Sequence, residues 1–208
     1  GDLRNKMNQT SNGKSISNTF NSTLSLNQKF KNNSYFDLNS TISIGKTDRN
    51  SHINSTTLYT NDTIPDIYRN INENNISKNN SYNFDVKYTY PIADSTKIAI
   101  GTAYDFSDNE TNNRTWNYNE ITGEYDQINN NLTRFYSTKQ NQINPYAQFL
   151  LNKSKLSAAV KVGANIYNQD NFGIFKSTDY NSIQNKTLPN LEGNIRYQSG
   201  NNSLSLQY

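Results

Sequence analysis

The sequence predicts an all-β fold, an antiparallel up-and-down meander of about eight long strands. Three observations lead there. Apolar and polar residues alternate strictly over stretches of about ten residues, these stretches come in pairs joined by short turns, and long polar connections separate the pairs. Helices have no visible place, because no stretch carries an apolar repeat at helical spacing.

The clearest pair lies between Ser81 and Ser107. Tyr82, Phe84, Val86, Tyr88 and Tyr90 hold even positions against Ser81, Asn83, Asp85, Lys87 and Thr89. After Pro91-Ile92-Ala93-Asp94-Ser95 the even positions resume with Ile98, Ile100, Thr102, Tyr104 and Phe106. Successive side chains of a strand point to opposite sides, so each arm has one apolar and one polar face. The proline and the Asp-Ser pair are turn chemistry, which makes the unit an antiparallel hairpin. Each arm runs about ten residues; strands of soluble domains usually have about five or six, whereas a tilted strand crossing a bilayer needs about 9 to 11.

The remaining pairs follow the same pattern in chain order. Residues 1–14 lack periodicity and read as loop. A first hairpin spans about 15–46, with Ile16, Phe20, Leu24, Leu26 and Phe30 on one parity, a turn at Lys31-Asn32-Asn33, and Phe36, Leu38, Ile42 and Ile44 on the return. The central hairpin is 81–107. A third spans about 138–167, with Ile143, Ala147, Phe149 and Leu151, a turn within Asn152–Lys155, and Leu156, Val160, Val162 and Ile166. A fourth, 188–208, carries Leu191, Ile195 and Tyr197, a turn at Ser199-Gly200-Asn201-Asn202, and Leu204, Leu206 and Tyr208. The stretches 47–80, 108–132 and 168–187 are expected as long loops, with a small hairpin around Gly123 inside the second. The whole chain, 1–208, reads as a single unit.

Composition limits what such strands can build. Only 32% of the 208 residues are hydrophobic, yet there are 15 tyrosines and 9 phenylalanines. Mean hydropathy is −0.93. Disordered chains are poor in aromatics, so the polarity belongs to a folded protein with an extensive polar face. A net charge of +3, scattered along the chain, does not suggest a nucleic-acid partner. The chain has no cysteine, which removes disulfides and thiolate chemistry. There is no apolar run long enough for a transmembrane helix and no apolar signal-peptide core near Gly1.

Tight turns at one end of the strands and long polar loops at the other, with apolar and polar residues alternating between, are the pattern of a transmembrane β-barrel, or of a segment of one. Tyr88 and Tyr90 near one turn, and Tyr82, Phe84, Tyr104 and Phe106 at the far end, fit two interfacial girdles. Eight strands also permit closure as a small barrel.

At this point the residues resemble a family. Tyr88-Thr89-Tyr90-Pro91, the run Pro145-Tyr146-Ala147-Gln148-Phe149 with Val162-Gly163-Ala164, and Leu188-Pro189-Asn190-Leu191 leading to Ser203-Leu204-Ser205-Leu206 resemble the barrel portion of TonB-dependent receptor-like proteins of Gram-negative outer membranes. The resemblance covers most of the chain from Ser15 onward. It implies an outer-membrane location and a part in a receptor or transporter barrel, a non-catalytic scaffold whose extracellular loops meet ligand or partner. Implied partners are outer-membrane lipid, a plug domain, a TonB-type energy-coupling protein and a surface lipoprotein. Members have about 22 strands, and the last residues stop within an alternating pattern, so a segment of a longer exported precursor is expected.

Catalytic chemistry is mostly absent from the sequence. His52 is the single histidine and stands among Asn and Ser in an expected long loop, so it reads as a solvated side chain, and with no cysteine and no second histidine a zinc site is not expected. The carboxylates Asp105, Asp108 and Glu110, and Glu120, Glu124 and Asp126, read as solubilising groups with local hydrogen bonds. No metal, cofactor or enzymatic activity is expected. The charges on polar strand faces, Asp37, Asp85, Lys87, Lys97, Asp105, Lys161 and Arg196 with Glu192, are expected to line a lumen and to pair with one another or with a plug. Tyr59, Tyr68, Trp116, Tyr118 and Tyr125, together with Phe172, Phe175 and Tyr180, are the loop aromatics available for ligand stacking, although packing among themselves is the simpler role. The alternative from a different class is a soluble secreted β-sandwich or adhesin-like module that binds glycans through those aromatics, its apolar positions hidden between two sheets.

Overall fold

The computed structural model describes residues 5–59, 65–199 and 202–207. They form nine strands and no helix: β1 (Asn5–Lys29), β2 (Tyr35–Tyr59), β3 (Ile67–Ala93), β4 (Thr96–Asn119), β5 (Glu124–Ile128), β6 (Arg134–Lys153), β7 (Leu156–Phe175), β8 (Thr178–Ser199) and β9 (Asn202–Gln207). All belong to one antiparallel sheet in the order β1-β2-β3-β4-β6-β7-β8-β9, with β5 paired to β4. This is the expected up-and-down meander, in one layer rather than the two of a sandwich. It is not closed into a barrel: among the described residues β1 pairs only with β2, and β9 only with β8.

Turns at one end of the strands match the sequence reading. Asn33 takes φ 58° in the first and Ser154 φ 44° in the third, left-handed positions that short polar residues tolerate. The second turn contains Asp94 and Ser95 and follows a bulge between Pro91 and Ala93, where the proline withholds its ladder donor. Gly200 and Asn201 of the fourth expected turn, and Tyr208 beyond it, lie outside the described residues.

At the other end the expectation is corrected. Residues 5–14, read as loop, are the first half of β1, paired with β2 from Asn5↔Tyr59 to Lys14↔Asn50. The stretches 47–80, 108–132 and 168–187 are mostly strand too: β2 runs on to Tyr59, β3 begins at Ile67, β4 reaches Asn119, and β7 and β8 meet across Lys176-Ser177. Residues 60–64 of the first stretch lie outside the described residues. Lys176 and Ser177 have φ 51° and 60°, the paired positive values of a type I′ hairpin turn. Gly123, at φ 73°, turns β4 into β5 as the sequence suggests. Period-two apolar alternation fades in these halves because Asn, Ser, Thr and charged residues dominate both faces and the apolar groups, such as Ile53, Ile71, Phe172 and Ile174, are scattered between them. Ladder hydrogen bonds and side-chain pairs hold them instead, such as Ser17 Oγ to Thr47 Oγ1 at 3.0 Å and Asn74 Nδ2 to Asp48 Oδ1 at 2.9 Å.

Register is continuous along β2 to β4 and β6 to β8 apart from the Pro91/Ala93 shift, so parity assigns every side chain to a face. On one face Phe36, Tyr88, Ile100, Ala147, Val162 and Leu191 form a single cross-strand row. The opposite face is polar. Among the described residues the buried hydrophobic side chains are only Ile71 (5% exposed) and Ala99 (0%), and these residues form no layered core.

Candidate functional site: a two-faced curled wall

The buried residues of β2 to β4 are Ser51, Ser55, Ile71, Thr89, Ala99, Asn113 and Thr115. All have the parity of the polar face. A one-layer sheet hides one face only by curling towards it, so the polar face is concave and the apolar face convex.

The apolar face carries a belt. Its upper edge passes through Ile44, Tyr82, Phe106, Ile143 and Ile166, its lower edge through Phe36, Tyr90, Ile98, Leu151 and Leu156. The belt does not follow the rows of paired residues. Tyr82 pairs through Phe106 and Asn141 to Asn168, yet the edge on β7 is Ile166, two residues further down; Tyr90 pairs through Ile98 and Phe149 to Val160, yet the lower edge is Leu156, four residues further down. Two and four residues over three strand steps average about one residue, 3.3 Å, per 4.8 Å of sheet width, a slope of about 35° that falls within the strand tilt of membrane barrels. The belt spans nine residues on β4, Ile98 to Phe106. At that tilt nine residues rise about 24 Å, close to the apolar band of roughly 25 Å on outer-membrane barrels.

Aromatic side chains border it. Tyr82 and Phe106 meet with ring centroids 5.7 Å apart at the upper edge, and Phe30 and Tyr88 at 6.4 Å near the lower turns. The Tyr88 hydroxyl donates to Ser34 Oγ at 3.0 Å. Nothing among the described residues covers the belt: Phe20 is 60% exposed, Ile100 56% and Leu191 56%. That area far exceeds the few hundred Å² of contiguous apolar surface usual on soluble monomers. No helix of the described residues is long and apolar enough to cross a membrane, which says nothing about crossing by strands.

The sequence-predicted charges all fall on the concave face, as their parity requires. Asp37 and Lys87 are opposite each other on β2 and β3, with Nζ to Oδ2 at 3.1 Å, and the Asn27 amide donates to the same carboxylate. Asp105 accepts from Asn83. Lys161 pairs with Glu192 at 3.3 Å and stands 4.8 Å from the Tyr146 ring centre. Lys97 lies 5.2 Å from the Tyr35 ring centre, and Lys29 lies 5.7 Å from the same ring. Asp85, Lys87, Tyr146, Lys161 and Glu192 line one shallow cavity of about 470 Å³. Arg196 is further along the face, between Ser157 and Ser205 in the ladder, apart from this group.

Sequence reasoning missed the centre of this face. Tyr146 on β6 lies between Gly101 on β4 and Gly163 on β7. A Cβ at Gly101 would stand 2.6 Å from the Tyr146 hydroxyl oxygen, and one at Gly163 2.5 Å from the Pro145 carbonyl oxygen. The ring covers the backbone left bare by glycine, which is aromatic rescue in a sheet. Only the small-large-small register across three strands signals it.

The predicted loop aromatics are strand residues. Tyr59 ends β2 and Tyr68 lies at the start of β3; Trp116 and Tyr118 are near the end of β4, and Tyr125 is in β5. Tyr68, Trp116 and Tyr118 share the convex parity, while Tyr59 takes the other. Three of the predicted five do not converge: Tyr68 is 70% exposed, Trp116 half-buried, and Tyr59 is distant along β2. Tyr118 and Tyr125 do meet, at 5.3 Å between centroids, and Tyr125 stands edge-on to His52 at the same spacing. The Tyr125 hydroxyl donates to Asn70 Oδ1 at 2.7 Å and lies 2.9 Å from His52 Nδ1. With the hydroxyl proton directed to Asn70, His52 Nδ1–H is the donor to the tyrosine oxygen. This contact ties β5 over β2 and β3, and it is packing rather than an open stacking site.

The acidic clusters behave as local hydrogen-bonding groups. Glu110 pairs with Lys78 at 3.1 Å, and Asp126 accepts from Asn119 and from Thr122 Oγ1 at 3.0 Å. No group of three or more His, Cys, Asp or Glu among the described residues is arranged to hold a metal ion. Comparison with protein-family models and with curated proteins finds no match to this chain.

Proposed function

We propose that this sheet is part of the wall of an outer-membrane β-barrel of the TonB-dependent receptor type. The observation that carries the membrane reading is the uncovered apolar belt, oblique to the strand pairs by about 35°. A layered soluble fold gives its apolar face no reason to slope at a barrel's strand tilt or to stop at a bilayer's thickness. In this reading the convex face meets lipid and the concave face meets a water-filled lumen or a plug. The polar halves of the strands stand outside the bilayer, where ligand or a surface lipoprotein approaches.

No side chain has a catalytic role here; the wall is a scaffold. The Asp37–Lys87 and Lys161–Glu192 pairs suit a hydrated lumen, since each leaves one or both partners partly exposed. The receptor type rests on the Tyr88–Pro91, Pro145–Phe149 and Leu188–Leu191 motifs, with transport and energy coupling following from it. Because bare strand edges are not tolerated in hydrocarbon, the free edges of β1 and of β8 with β9 require further strands to complete the wall.

The test is fractionation of the natural protein. It is expected in the membrane pellet, resistant to alkaline carbonate and released by detergent. Recovery in the soluble fraction overturns the reading.

A further inference from the structure

We propose that the lysines of three short turns, Lys31, Lys153 and Lys155 foremost, form a collar for the phosphate headgroups of anionic phospholipids. The proposal rests on the reading of the belt as lipid-facing, and adds to it a lipid class and the residues that select it.

The first three turns at the lower end of the strands fall within residues 29–35, 90–98 and 151–156. They carry five lysines, Lys29, Lys31, Lys97, Lys153 and Lys155, against one carboxylate, Asp94. Their net charge of +4 exceeds the +3 of the whole chain, so folding gathers at one rim a charge that lies scattered in the sequence. The far end is different: residues 115–133, from the end of β4 to the start of β6, hold Glu120, Glu124 and Asp126 and no cation.

None of the five lysines has a carboxylate partner among the described residues, whose ion pairs are Lys78–Glu110, Lys87–Asp37 and Lys161–Glu192. Asp37, two residues above Tyr35 on β2, is thus already taken by Lys87. Lys29 and Lys97 instead share the ring of Tyr35, their Nζ atoms 5.7 and 5.2 Å from its centre. Two ammonium groups beside one ring repel each other, and a shared anion relieves that repulsion.

The lysines stand where the belt ends. Lys97 adjoins Ile98 and Lys155 adjoins Leu156, both on the lower edge, and Lys153 is two residues past Leu151. At the belt's tilt one or two residues are about 3–5 Å, inside the headgroup layer of about 5–8 Å that borders the hydrocarbon. Lys153 has the parity of the convex face, and Lys31 and Lys155 are exposed in the turns themselves. Phe30, Leu151 and Leu156 offer apolar surface to the three stems, and the ammonium groups reach the phosphate layer.

The spread of charge favours a plane over a pocketed ligand. From Lys31 to Lys155 the collar crosses four strand steps, about 19 Å of sheet width. The cavity between the second and third turns, about 420 Å³, is lined by both Lys97 and Asp94, which leaves it without net charge. An acidic ligand is offered no basic pocket there, whereas a plane of phosphates meets a cation at each of the three turns. Phosphatidylglycerol and cardiolipin supply that plane. Phosphatidylcholine and phosphatidylethanolamine carry their own cation beside the phosphate and gain less.

The experiment is lipid-selectivity EPR on the full chain in phosphatidylcholine vesicles doped with spin-labelled phosphatidylglycerol or spin-labelled phosphatidylcholine. The motionally restricted signal should show phosphatidylglycerol preferred about fivefold, and the preference should vanish at about 1 M salt, where the Debye length is about 3 Å. Lys31→Gln, Lys153→Gln and Lys155→Gln combined should bring it close to parity. The same three positions changed to arginine keep the charge and should keep the preference, which separates charge from damage to the turns. Arg69→Gln, Arg114→Gln and Lys176→Gln combined remove equal charge from the far half and should leave it intact. No preference for phosphatidylglycerol, a preference indifferent to salt, loss in the arginine triple, or equal loss in the two glutamine triples overturns the collar. So does displacement of the labelled lipid by soluble polyglutamate, which would assign the rim to an acidic protein. A chain that enters phosphatidylcholine vesicles yet shows no such preference defeats this proposal alone; one that enters no vesicle defeats the membrane reading and the collar with it.

Discussion

Tyr146 lies across Gly101: a Cβ on that glycine would stand 2.6 Å from the tyrosine hydroxyl oxygen and 2.7 Å from both its Cζ and the Val86 carbonyl oxygen. Because one of the colliding atoms is backbone, ring movement alone does not make room. Gly101→Val is therefore expected to destabilise the sheet by about 1–3 kcal/mol despite the better strand propensity of valine. Tyr146→Ala should cost about 1 kcal/mol through the lost cross-strand cover, and Tyr146→Phe much less. Urea unfolding in lipid vesicles measures all three, and a stabilised Gly101→Val would contradict the packing described.

The convex belt makes a directional prediction about charge. Val86 sits midway down it on β3, between Tyr82 and Tyr90. Val86→Arg is expected to cost about 2–4 kcal/mol in vesicles, the penalty for arginine at a bilayer midplane. Ser43→Lys, on the concave face, should change stability by no more than about 0.5 kcal/mol. Equal penalties at the two positions would contradict the assignment of faces.

Trp116 reports height. It lies ten residues beyond Phe106 along β4, which at the belt's tilt is about 27 Å above the belt's upper edge. Brominated acyl chains are expected to leave its emission unquenched, whereas a tryptophan introduced as Phe84→Trp in a Trp116→Phe background should be quenched strongly.

The ion pair between Asp37 and Lys87 is partly exposed, with side chains 21% and 38% accessible. A double-mutant cycle with Asp37→Asn and Lys87→Met should give a coupling of about 0.2–1 kcal/mol that shrinks with added salt. A coupling of several kcal/mol, insensitive to salt, would mean that the concave face is dry.

The upper contact between β5 and its neighbours depends on one hydroxyl. Tyr125→Phe removes its bonds to Asn70 and His52, and amide exchange over Glu124–Ile128 should rise about five- to tenfold, the equivalent of about 1 kcal/mol. Amides of β3 and β4 within the belt should be unaffected.

The lower half of the fold was legible because one of its faces is apolar. Tyr82 to Phe106 shows its alternation without reference to any other segment, and a one-residue slip would turn every apolar group to the wrong face. The same parity sorted Asp37, Lys87, Asp105 and Lys161 onto one side before any pairing was known. From Gly45 to Tyr59, and from Thr178 to Lys186, apolar residues such as Ile53, Leu58 and Ile183 are too sparse to repeat at period two, so the pattern does not distinguish strand from loop. The ring over Gly101 was invisible for a different reason. It requires knowing which residue of one strand stands beside which residue of the next, and that is set by the short turns and the ladder register rather than by any one segment.

Strands that continue past the belt give the wall a tall, fully paired palisade. On β3 the polar portion from Ser81 back to Ile67 rises about 40 Å at the belt's tilt. If the belt is seated in a bilayer as proposed, a macromolecule engaging the hairpin tips would do so without touching lipid headgroups, and proteolytic shaving of those tips would leave the belt rows standing.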